Sequence, residues 1–118
     1  MWREGGQGEF YTYLPYSFAA NKKFCNDKGA HCNDVYGASI GRGQFKFATD
    51  QWTTVSERVK LNDVGKTNGE LELFVNGKSV ISVKNLVLRN NDDGHIRNLQ
   101  MQTFFGGTFV RSLSRLAG

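Results

Sequence analysis

Apolar and polar residues alternate along much of this chain, in short runs cut by Gly, Asn and Asp. Successive side chains on a strand project to opposite faces, so such runs predict half-buried β-strands. The clearest run covers residues 70–83, where Asn76-Gly77 separates two β-prone segments. A two-residue hairpin turn needs φ > 0 at both central positions, which Asn and Gly tolerate, so a hairpin is predicted there. Upstream, residues 52–61 predict a long strand with Val55, Val59 and Leu61 inward and Thr54, Ser56, Arg58 and Lys60 outward. Glu57 interrupts the inward set. Residues 36–47 read as two strand pieces broken at Gly41-Arg42-Gly43, with Phe45 and Phe47 opposite Gln44 and Lys46. Residues 95–105 predict a further strand, Leu99, Met101 and Phe105 on one face, Asn98, Gln100 and Gln102 on the other.

Near the start, a Gly-rich turn feeds a strand over residues 10–14. Tyr11 and Tyr13 share one face of it, and Phe10, Thr12 and Leu14 the other. Same-face neighbours lie roughly 6.5–7 Å apart, a spacing at which two phenols can flank one sugar ring. The bland alternative is a pair of half-buried sheet tyrosines, since Tyr favours strands. With about six or more strands and no helix beyond a turn or two, the chain predicts an all-β antiparallel sandwich or jelly roll. Phe109, Leu113 and Leu116 have helical spacing, but residues 108–118 are too few for a lone helix and read as a tail.

Composition narrows the function classes. The 118 residues suit one domain with one core. Abundant Gly (14), a single Pro and 13% aromatic residues agree with an all-β chain. No apolar window is long enough to span a membrane, and no signal peptide is visible. The net charge of +4 comes from Lys and Arg scattered from Arg3 to Arg115, without a basic block. That argues against a nucleic-acid partner and is compatible with another polyanion, such as a polyuronate.

Three candidate chemistries follow. Cys25 and Cys32 sit in a polar loop, where only His31 and His95 could join them as metal ligands. A zinc site is therefore disfavoured, which leaves a local disulfide or free thiols. The amides of Gln100 and Gln102 both donate and accept hydrogen bonds, which suits a hydroxyl-rich ligand as well as a merely solvated face. The Tyr11–Tyr13 pair is the third.

Several segments occur in one order: Met1-Trp2-Arg3, Gly8-Glu9-Phe10-Tyr11-Thr12-Tyr13-Leu14-Pro15, Tyr36-Gly37-Ala38-Ser39-Ile40-Gly41-Arg42-Gly43, Trp52-Thr53-Thr54-Val55, residues 58–65, Val75-Asn76-Gly77-Lys78 and residues 100–107. Together they resemble polysaccharide lyase family 14, most closely its fungal members. The resemblance implies a β-jelly roll that cleaves alginate or glucuronan by β-elimination, with no cofactor and no metal. It assigns acid/base work to Tyr11 and Tyr13, and Arg3 and Arg42 are candidates for binding the polyanionic substrate with Gln100 and Gln102. It also implies an extracellular monomer in which Cys25 and Cys32 are disulfide-bonded.

The resemblance has gaps. Family members carry a catalytic Ser-x-Arg just upstream of the Met-Trp-Arg segment and a catalytic lysine further upstream. Residues 1–118 hold no counterpart of these. The expectation is therefore an incomplete jelly roll over residues 1–107, a non-matching tail over 108–118 and impaired catalysis. The alternative function is a non-catalytic carbohydrate-binding sandwich.

Overall fold

The computed structural model describes residues 1–25 and 29–104. Among the described residues its strands are β1 (Phe10–Thr12), β2 (Ala30–Asn33), β3 (Gly37–Ile40), β4 (Val55–Lys60), β5 (Gly69–Val75) and β6 (Lys78–Leu86), with one α-helix, α1 (Ala19–Cys25), and a 3-10 turn at Glu4–Gly6. They form two antiparallel three-stranded sheets, ordered β1-β3-β2 and β4-β5-β6. Ala38 and Ile40 of the first sheet share a buried cluster with Leu71, Leu73, Ile81, Val83 and Leu86 of the second. The all-β expectation holds.

The β5–β6 hairpin turns where the sequence puts it. Asn76 and Gly77 have φ of 49° and 79°, and Val75 pairs with Lys78. The Asn76 side chain also accepts from the Thr54 N–H at 2.9 Å, which pins the approach to β4. Along β5 the burial alternates, because Leu71 and Leu73 enter the core while Glu70 and Glu72 face outward. There Arg58 of β4 pairs with Glu70 at 2.6 Å and Glu72 at 3.2 Å, as its outward phase requires. Exposed pairs of this kind add little stability. Their place on an edge strand matters more, since charge there discourages pairing with another chain.

Three expectations need correction. The strand over 52–61 shortens to Val55–Lys60, and its inward set is uncovered: Val55 and Val59 are 41% and 38% exposed. They lie opposite Val75 and Leu71, on the correct face, but β4 is the sheet's edge. The second half of 36–47 forms only one bridge, Lys46 to Gln7, although the Phe45 and Phe47 rings do meet at 5.2 Å. Residues 95–104 form no strand at all, and Leu99 and Met101 are fully in solvent. Alternation supplies a face but not a hydrogen-bonding neighbour, and a strand needs both. Phe105 and the tail over 108–118 lie outside the described residues.

The polar loop before Cys25 contains the helix. Asn21 is completely buried: its Nδ2 donates to the carbonyls of Pro15 (3.0 Å) and Val87 (2.8 Å), and its Oδ1 accepts from Val87 N–H (3.0 Å). Phe24 packs on the core from the same helix. At the end of α1, Cys25 is disulfide-bonded to Cys32 of β2, with Cα atoms 5.5 Å apart. Closing that short loop is worth about 2.5 kcal/mol on a chain-entropy basis. Reduction is therefore expected to lower the urea midpoint, as followed by tryptophan fluorescence with and without reductant. An unchanged midpoint would show that α1 and β2 hold their places without the bond.

Candidate functional site

The face of the β1-β3-β2 sheet turned away from the core carries the site. Tyr11 pairs with Ser39, and Ser39 with His31, so the three residues form one row across the strands. Tyr13 follows directly on the end of β1 and is 77% exposed. The two phenol rings stand edge to face with centroids 5.7 Å apart. They therefore pack on each other, which leaves no room for a sugar ring between them and makes one aromatic ledge. Gly37 permits this. A Cβ there would stand 3.1 Å from both rings and 2.8 Å from the Thr12 carbonyl oxygen, and its φ is +96°. The Tyr11 hydroxyl donates to the Tyr36 carbonyl. Among the described residues the Tyr13 hydroxyl has no such partner.

Beneath the ledge lies a buried carboxylate. Glu9 is two residues before Tyr11, on the same face, and its side chain has no solvent exposure. Its Oε1 accepts from Arg3 Nε at 2.5 Å. Its Oε2 accepts from Ser39 Oγ at 2.5 Å and from Arg42 Nε at 2.8 Å. The Arg3 guanidinium also lies over the Tyr11 ring, 5.6 Å from its centroid. Burial pushes the Glu9 carboxyl up, but the hydrogen bonds from Ser39, Arg42 and Arg3 together outweigh it and hold the group below its ordinary range.

That direction sets a sign. A depressed folded pKa contributes stability that is complete above the unfolded value, near 4.5, and is lost as pH falls through the folded value. Asp63, Glu70 and Glu72 are shifted the same way on the surface, so acid destabilisation is shared. Glu9→Gln is expected to be less stable than the parent at neutral pH, with the gap closing below about pH 4. Urea midpoints across pH 3–7 measure it, and a gap that stays constant would show that Glu9 is not held ionised.

A concave space of about 670 Å³ lies apart from these residues, lined by Phe24, Ile40, Ile81 and Val83 together with Lys23 and Lys84. Ile40 leaves β3 on the face opposite Ser39, so this space lies on the core side of the sheet. Among the described residues it contains no acid–base pair. Among the described residues no cluster of His, Cys, Asp and Glu is suited to a metal ion.

The family model for polysaccharide lyase 14 matches residues 1–111. This chain belongs to that family. A solved structure of the marine PL-14 alginate lyase from Aplysia kurodai superposes with a TM-score of 0.78 at 33% sequence identity. The alignment covers 92% of this chain and 42% of that one, so the chain spans less than half of its neighbour's length. No curated protein sequence matches it.

Within this polysaccharide lyase 14 chain, four of the expected residues are linked: Arg3 and Arg42 meet on Glu9, Arg3 lies over the Tyr11 ring, and Tyr11 packs on Tyr13. Gln100 and Gln102 do not join them. They lie exposed in the unpaired segment 95–104, on no sheet face. Two members of the site went unrecognised in the sequence. Glu9 carries a readable signal, an acid in the phase of Tyr11 and Tyr13. Ser39 carries none until the pairing of β1 with β3 is known.

Proposed function

We propose that this chain bears the acid/base part of a polyuronate lyase that cleaves alginate or glucuronan by β-elimination. The observation that carries the reading is the Tyr11–Tyr13 ledge, with Arg3 over the Tyr11 ring and sharing one buried carboxylate with Arg42. In the reaction a base takes the proton from C5 and the electron pair forms the C4–C5 double bond. The C4–O4 bond breaks and an acid protonates O4. Tyr13, whose hydroxyl is exposed, is assigned proton transfer. Tyr11 supports it from the ledge, with its hydroxyl on the Tyr36 carbonyl. Arg3 and Arg42 offset the negative charge that builds on the C5 carboxylate.

The family resemblance puts a serine, an arginine and a lysine at positions with no counterpart in residues 1–118. Losing one preorganised stabiliser typically costs about 10²–10³ in rate, so these residues alone are expected to turn over slowly. A form extended upstream to supply them should be faster by at least that factor. The unsaturated product absorbs in the ultraviolet, which provides the assay. Product from polyuronate and none from its carboxyl-reduced counterpart is expected. Absence of product from both forms would leave the second reading, a carbohydrate-binding sandwich. The Cys25–Cys32 bond supports an extracellular setting, and the charged β4 edge supports a monomer.

A further inference from the structure

We propose that Glu9 is the positioning residue of a uronate-carboxylate site, holding Arg3 and Arg42 by their Nε–H groups and leaving their terminal Nη groups for the ligand. The inference rests on the polyuronate reading and deepens it. A single carboxylate with no solvent exposure carries two guanidiniums, whose side chains are 33% and 44% exposed. The cluster therefore keeps one net positive charge at the foot of the tyrosine ledge. Among the described residues neither guanidinium has a hydrogen bond from its Nη groups. Those groups are the part of arginine that meets carboxylates side by side.

Stability alone is a poor reason for the arrangement. Buried ion pairs are often no better than apolar residues of the same volume. Here Ser39 also donates to Glu9 Oε2, at 2.5 Å, which helps to fix the carboxylate's rotation. With Oε1 given to Arg3 and Oε2 shared by Ser39 and Arg42, both cations are anchored at set points on Glu9, and Arg3 lies over the Tyr11 ring. One ligand that matches the residual charge is a single carboxylate beside a sugar ring that rests on the aromatic ledge. Sulfated or phosphorylated sugars share the charge but not the planar two-oxygen geometry.

The test compares a tetrauronate prepared from alginate with the same tetrasaccharide after carboxyl reduction, by calorimetry on the 118-residue chain. The parent is expected to prefer the uronate at least tenfold. Glu9→Gln should lose roughly tenfold in uronate affinity and keep its weak affinity for the reduced sugar. A purely structural residue would weaken both ligands alike, and that outcome would overturn the proposal. Unchanged uronate binding by folded Glu9→Gln would overturn it too. If Glu9→Gln fails to fold, arginine side-chain NMR of the parent decides: the Nε–H signals of Arg3 and Arg42 should stay protected while the Nη signals shift on titration. Nε–H signals that exchange freely, or Nη signals that do not move, would overturn it. A parent that forms unsaturated product without preferring uronate over the reduced sugar would sink this inference and leave the lyase reading standing. No such preference in the parent, together with no unsaturated product from it or from the form extended upstream, would sink both.

Discussion

Asn21→Ala is expected to cost about 3–5 kcal/mol of stability, because it strands two buried backbone groups and one half-buried one at roughly 1–3 kcal/mol each with partial relaxation. The groups are the Pro15 carbonyl and the carbonyl and N–H of Val87. Together they make one side chain act as a strand edge, joining α1 to the residue just after β6. Domains of this size hold only about 5–15 kcal/mol in total, so the variant should lose a large share of its stability. Asn62 does similar work one segment on. Its Oδ1 accepts from the Leu88 and Arg89 N–H groups at 2.7 and 3.0 Å, and its Nδ2 donates to the Arg89 carbonyl at 3.0 Å. Urea denaturation of both alanine variants measures the loss, and a cost below about 1 kcal/mol at Asn21 would show that water replaces it freely.

These two asparagines also explain what the sequence could and could not show. Local signals were legible where geometry is local. Asn76-Gly77 dictates its own turn, and the alternation of residues 70–75 survives in the burial of β5. Asn21 looks like an ordinary loop residue in sequence, and only its contact with Val87, far along the chain, makes it part of the core. The same non-locality misled the reading of residues 95–105. Their pattern is as regular as that of β5, but nothing in the described residues offers them a paired edge. For β4 the pattern was right about the face and silent about cover, since alternation cannot say whether another layer lies above Val55 and Val59.

The candidate site divides along the same line. Tyr11 and Tyr13 were legible because strand phase alone puts them together. Their mutual packing was not, because it depends on Gly37 leaving space on the neighbouring strand. Glu9 was within reach of the same phase argument, yet an acid next to an aromatic strand reads as solvated until its three donors arrive from Arg3, Ser39 and Arg42.

Tyr13→Phe is expected to lower kcat about 10²–10⁴-fold with little change in KM, the range typical of losing a proton-transferring group. The ring stays, so the edge-to-face contact with Tyr11 and the ledge persist, and only the exposed hydroxyl goes. An interaction made only in the transition state should reduce kcat and kcat/KM together. Tyr11→Phe should behave differently. Its hydroxyl is bound to the Tyr36 carbonyl, so its removal also frees the turn between β2 and β3 and should lower stability by about 0.5–1.5 kcal/mol. Both variants are measured by ultraviolet product formation in the form extended upstream, where the parent rate leaves room for a large loss. Near-parental turnover by Tyr13→Phe, with the loss confined to Tyr11→Phe, would reverse the assignment and make the Tyr36-bound hydroxyl the one that moves the proton.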